Sequence, residues 1–261
     1  MSALPFPTSI EQALQGYRRT PVETGESGGH VFRCDARDRP TLYLKGGDGE
    51  VAGDITHEML RLTWLKRRIL CPDVQSFIRD GDSAWLLTTA IPGTPAAAYL
   101  ETRPESRHKT IGSIAEFLRG MHALPIADCP FHAGHQFRMA HARRNIDTGV
   151  VDESDFDDAR TGWTAEHVWQ SMIELLPLPF EQVVTHGDFS LDNILIVDDH
   201  VTGCIDVGRL GVADPYQDLA ILWNSLGEFG EEAQRQLFEA YGIAAPDQAR
   251  IEFHLCLDEC F

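Results

Sequence analysis

The stretch VVTHGDFSLDNILIVDDHVTGCIDVGRLG, residues Val183–Gly211, decides how the chain is read. It sets apolar runs around three polar residues in a fixed order. Asp188 closes His186-Gly187-Asp188, Asn193 follows five residues on, and Asp206 comes after a hairpin-like segment. The pattern predicts a loop, a strand NILIV, a turn DDH and a strand VTGCI, with apolar side chains holding the polar ends in place. Phosphoryl transfer needs a carboxylate near the attacking hydroxyl and hard oxygen ligands for magnesium. The ordered trio supplies both. Singly, each residue reads better as a turn cap, a role Asp and Asn commonly fill. Together and beside His-Gly, they favour the chemical reading.

Upstream, Lys45 ends a strand, TLYLK. A strand-borne lysine can contact nucleotide phosphates when a helix glutamate holds it. Glu58 lies thirteen residues on, inside DITHEMLRLTWLKRRIL. There Ile55, Met59, Leu62, Leu65 and Ile69 recur near the helical period, so a helix is expected up to Cys71-Pro72. Glu50, in the glycine-rich turn, is the weaker rival partner. The glycine loop TGESGGHVF, residues 24–32, is placed to offer Ser27 and backbone N–H groups to phosphates. It contains G-x-S-x-G, but a β-like run follows where a nucleophile elbow requires a helix. His57-Glu58 begins HExxH, but Arg61 occupies the final position, which excludes that zinc motif.

The remaining pattern is a small β-rich part followed by a larger helical one. The β-like runs are HVFRC, TLYLK, VQSFIRD and SAWLLTTA. Helices are expected over 110–124, 165–176, YQDLAILWNSL, EEAQRQLFEAY and QARIEFHLCLDECF. Asp214-Pro215 reads as a cap and first-turn proline. The organisation expected is a nucleotide-binding lobe at 1–89, a hinge at 90–98 and a catalytic, substrate-binding lobe at 99–261. Residues 146–158 carry six acids in thirteen. Such a run is usually solvated and mobile; its functional reading is a lid that grips a polycation. LDECF adds Asp258, Glu259 and the Phe261 carboxylate.

The chain has 261 residues and a net charge of -18, which argues against nucleic acid or an anionic membrane as partner. The six cysteines form no CxxC pair, so reduced thiols in a cytoplasm are expected. No signal peptide and no membrane span is read.

HGDFSLDNILI followed by IDVGRLGVADPYQDLA resembles the aminoglycoside phosphotransferases, most closely the 3'-phosphotransferase (kanamycin kinase) group. HGDxxxxN is shared with choline kinases; GRLGVADPYQD and the acidic end narrow the likeness. The resemblance implies an α+β, protein-kinase-like fold of two lobes, with ATP between them. It implies Asp188 as catalytic base or hydroxyl-orienting carboxylate, and Asn193 and Asp206 as ligands of Mg2+. Lys45, paired with Glu58, would contact the phosphates that Ser27 covers. Tyr43 would stack on adenine, and the backbone of Thr89 and Ile91 would read its edge. Asp155, Asp157, Asp158, Asp258, Glu259 and the Phe261 carboxylate would meet the amines of a polycationic aminoglycoside, with Arg209 orienting the acids. Cys260 stands where the group has an aromatic residue, which is expected to loosen ring contacts. A monomer or weak dimer is expected.

Three other readings compete. One is a kinase of the same fold acting on another small cationic metabolite, such as choline or an amino sugar. A pseudokinase or adaptor predicts gaps in the Lys45, Asp188, Asn193, Asp206 set, and there are none. A protein kinase needs an activation loop, for which residues 207–217 leave little room.

Overall fold

A computed structural model describes residues 6–22 and 29–261. Predicted Ser27 lies outside the described residues. The chain divides into two compact units: residues 1–93 with 202–209, and residues 94–201 with 210–261.

The first unit contains α1 (Thr8–Ala13), β1 (Arg18–Pro21), β2 (His30–Asp35), β3 (Leu42–Asp48), α2 (Gly49–Leu65), β4 (Val74–Asp80) and β5 (Ser83–Thr89). The five strands form one antiparallel sheet in the order β1-β2-β3-β5-β4. Side chains alternate across a strand. On β3, Leu42 and Leu44 join Ile10, Leu14, Cys34, Trp85 and Leu87 in one core. That alternation leaves Tyr43 and Lys45 on the opposite face, toward α2. Helix α2 buries Ala52, Ile55, Glu58, Leu62 and Leu65. It begins at Gly49 and ends at Leu65, earlier at both ends than the expected span. Residue Arg67, at φ +68°, takes the left-handed conformation that stops a helix.

The second unit contains β6 (Thr94–Pro95), α3 (Ala96–Thr102), α4 (Arg107–His122), α5 (His135–Thr148), α6 (Ala165–Glu174), β7 (Val183–Thr185) and β8 (Ile194–Val197). It continues with β10 (Gly211–Ala213), α7 (Tyr216–Leu226), α8 (Glu231–Tyr241) and α9 (Gln248–Asp258). Strand β9 (His200–Cys204) carries the chain back into the first unit. Asp198 and Asp199, at φ +49° and +66°, make the turn between β8 and β9. The Asp214 carboxylate accepts the Tyr216 N–H at 2.9 Å, so it caps α7 as expected.

The acidic segment is anchored to the core by one ring. Phe156 is buried in a core with Val168, Met172, Phe253, Cys256 and Cys260. Asp152 accepts the Ser154 N–H at 2.9 Å, and Glu153 accepts the Ala165 N–H at 2.7 Å. One aromatic anchor and a set of turn bonds outweigh the mutual repulsion of the acids.

Gly46 is required by close approach: a Cβ there would meet Trp85 ring atoms at 2.1 Å. Gly46→Ala is expected to cost about 1–3 kcal/mol by overpacking. In helix α2, a Cβ at Gly53 meets nothing within 4 Å. Gly53→Ala is expected to stabilise by about 0.5–1 kcal/mol. Urea unfolding of both variants checks the pair, and equal midpoints would contradict the packing argument.

Candidate active site

In the first unit, Lys45, Glu58 and Asp206 meet. Lys45 Nζ donates to both Glu58 oxygens at 2.9 Å. It also donates to Asp206 Oδ1. Burial alone pushes the Lys45 ammonium toward its neutral form, but Glu58 and Asp206 outweigh this and hold its pKa well above the usual lysine range. The residues that deliver Asp206 are pinned: Cys204 N donates to Leu70 O at 3.1 Å. At Gly203 a Cβ would fall 2.8 Å from that same carbonyl oxygen. Asp206 itself sits at φ +58°.

Tyr43 shares the Lys45 face of β3. The Thr89 N–H already donates to Asp73 O at 3.0 Å, so the edge of an adenine is not read by that amide. Ile91 is half-buried two residues beyond β5. Arg209 ends the turn Val207–Arg209 in the first unit, where its charge lowers the Asp54 pKa against a larger upward push from burial.

In the second unit the loop bearing Asp188 is gripped from several sides. The fully buried Asp218 carboxylate, on α7, accepts the His186 N–H at 2.7 Å and the Gly187 N–H at 2.8 Å. His122 Nε2 lies 3.0 Å from the same carboxylate. Burial pushes the Asp218 pKa up, yet the His122 bond and charge, His186 and the Gly187 amide hold it below the usual range. Gly187 O accepts from Arg138 and Gln217, each at 3.1 Å. Asp188 is half-buried, and Asn193 Nδ2 donates to its backbone oxygen at 2.9 Å and its Oδ2 at 3.2 Å.

Arg138 ties this loop to the C-terminal acids. Its Nη2 reaches Asp258 Oδ1 at 3.5 Å, and its guanidinium lies 4.6 Å from the Phe261 ring centre. Cys260 is buried in the core with Cys256. Asp157 and Glu259 are brought together: the Asp157 N–H donates to Glu259 Oε1 at 3.1 Å. Asp155 and Asp158 are exposed on the same segment. Arg138, Arg160 and Asp218 escaped the sequence reading. Asp218 left one signal, a carboxylate heading the apolar run LAIL.

These features are a lysine–glutamate pair against an aspartate, and a braced His-Gly-Asp loop with its asparagine. They coincide with a match of residues 19–254 to the phosphotransferase enzyme family. The chain belongs to that family. It is 49% identical to an aminoglycoside 3'-phosphotransferase of Escherichia coli, over 97% of this chain and 94% of the relative. The crystal structure of an aminoglycoside-3'-phosphotransferase of type VIII matches with a TM-score of 0.87 and 32% identity, covering 97% of both chains. The aminoglycoside phosphotransferase APH(3'')-Id of Streptomyces rimosus, in complex with ADP and streptomycin, matches at 0.80 with 27% identity, over 96% of this chain and 95% of that one. The fold is therefore the expected α+β, protein-kinase-like one, and the chain is a phosphotransferase acting on a hydroxyl group. Among the described residues no helix is long and apolar enough to cross a membrane.

Asp218 has a folded pKa below its unfolded value of about 3.9. Its contribution to stability is therefore complete above about pH 4 and is lost as pH falls toward the folded value. Asp218→Asn is expected to cost about 1–3 kcal/mol at neutral pH. It is also expected to shrink the drop in Tm between about pH 5 and pH 3. Thermal melts across that range check this, and an unchanged acid sensitivity would contradict the role given to the carboxylate.

Proposed function

We propose that this protein transfers the γ-phosphoryl group of ATP to the 3'-hydroxyl of an aminoglycoside of the kanamycin and neomycin class, in the cytoplasm, and so confers resistance. The observation that carries this reading is the 49% identity across nearly the whole chain to an aminoglycoside 3'-phosphotransferase. The two braced sets of polar residues support it.

In this reading Asp188 orients the acceptor hydroxyl and takes its proton. The buried Asp218 brace holds the Asp188 backbone still, which is what positioning catalysis requires. Lys45, held by Glu58, contacts the α- and β-phosphates. Tyr43, the carbonyl of Thr89, the backbone of Ile91, and Ser27 complete the nucleotide contacts. Asp206 and Asn193 offer a carboxylate and an amide oxygen, a hard-oxygen set that suits Mg2+. When bound, Mg2+ would offset the charge of the phosphates. The acceptor carries several ammonium groups. Asp155, Asp157, Asp158, Asp258, Glu259 and Phe261 receive them, with Arg209 orienting acids, in charge-assisted bonds of roughly 1.5–3 kcal/mol each. The net charge of -18 favours such a cation.

A coupled ADP-release assay tests the reading. Kanamycin is expected to be turned over, and tobramycin, which lacks the 3'-hydroxyl, is not. Similar rates on both would overturn the 3' assignment, and turnover of choline alone would replace the substrate class. Asp188→Ala is expected to lower kcat by about 100-fold or more while ATP affinity holds. Near-normal turnover in that variant would remove Asp188 from its role.

A further inference from the structure

We propose that Arg160 is a positioning residue for the acceptor site, a guanidinium that holds Asp157 and Glu259 side by side so that both can face an incoming ammonium group. The proposal rests on the aminoglycoside reading above. Its basis is one geometric fact: a single buried cation faces three carboxylates, Asp157 from its own segment and Glu252 and Glu259 from the C-terminal helix and its end. The Arg160 side chain is 2% exposed. Its Nη1 meets Asp157 Oδ2 at 2.5 Å and lies 3.8 Å from Glu259 Oε1, while Nη2 meets Glu252 Oε1 at 2.6 Å. Asp157 belongs to the acidic segment, Glu252 to α9, and Glu259 to the residue just past it. The backbone closes the arrangement. Arg160 N donates to Asp157 Oδ1 at 3.0 Å, and Asp157 N donates to Glu259 Oε1 at 3.1 Å.

Charge explains why this exceeds a structural ion pair. Asp157 and Glu252 already outnumber the guanidinium. Adding Glu259 leaves excess negative charge, which a polycation can neutralise on binding. The fork geometry of arginine also matters, because two nitrogens address separate carboxylates and a lysine presents a single point. Glu259 is poised accordingly. Burial raises its pKa to about 7; Asp157 and Asp258 also raise it, while the Asp157 amide and Arg160 lower it. Cys256 and Cys260, also close by, have thiol pKa values pushed up by burial to about 11 and about 12, so neither adds charge at neutral pH.

The sign follows. Below about pH 7 Glu259 takes up a proton and its attraction for an ammonium group is lost, so kcat/KM for the acceptor falls on the acid side. Removing the Arg160 charge moves that fall to higher pH.

The test compares wild type, Arg160→Gln and Arg160→Lys by steady-state kinetics on kanamycin between about pH 6 and pH 9, with KM for ATP measured alongside. Arg160→Gln is expected to raise KM for kanamycin about tenfold, change kcat by less than about threefold, leave KM for ATP unchanged, and shift the acid limb of kcat/KM upward. Arg160→Lys is expected to restore the limb while KM stays raised. The amines of the drug titrate identically in every arm, so differences between variants belong to the protein. A lowered Tm with an unmoved limb and unmoved KM would overturn the proposal. Should Arg160→Gln fail to fold, Glu252→Gln serves instead. It leaves the guanidinium to Asp157 and Glu259, so the limb is expected to move down, and an unmoved limb again overturns the idea. Wild type that ignores kanamycin would sink the functional reading itself, whereas active wild type with an indifferent Arg160→Gln sinks only this inference.

Discussion

The buried carboxylate of Asp218 is the constraint on which the His186-Gly187-Asp188 main chain of the second unit depends. A fully desolvated charge is expensive unless it is paired and hydrogen-bonded. Here two backbone amides and His122 meet it. The two amides belong to His186 and Gly187, so satisfying the charge also fixes the main chain that leads into Asp188. Arg138 and Gln217 hold the Gly187 carbonyl from another side. The buried Phe189 and Leu191 anchor the same loop from within, so polar brace and apolar core order it together.

The first unit solves a related problem with opposite charges. Lys45 has two carboxylate partners where one would suffice for neutrality. Its ammonium is kept charged, and the cluster carries net negative charge. On the proposed function, that arrangement would suit a metal ion, whose charge would offset the excess, and Glu58 would keep hold of the lysine while it met phosphate oxygens.

Much of this was legible in the sequence because it lies in local pattern. Lys45 and Glu58 follow from a strand that alternates and a helix with a 3.6-residue period. Asp188, Asn193 and Asp206 follow from short spacings within one hairpin. The start of α2 was missed because its first turn, Gly49-Glu50-Val51-Ala52, precedes the clear apolar period. Helix α5 was missed because HQFRMAHARRNIDT has almost no apolar stripe, and with it went Arg138, whose burial is entirely a tertiary matter. Arg160 had no local signal, since an arginine after a run of acids reads as their counter-ion. Its partners Glu252 and Glu259 lie more than ninety residues away, beyond what periodicity reaches. Phe156 was the overlooked cue: one aromatic ring among acids marks where a charged segment is anchored.

The left-handed backbone at Asp206, φ +58°, has an evolutionary consequence. Asparagine and glycine share with aspartate a tolerance for that conformation. Each is a single base change from any aspartate codon. A lineage released from drug pressure can therefore lose this carboxylate without backbone strain. If Asp206 serves the metal as proposed, the lineage's descendants would inherit a folded but silent protein, one base away from reversion.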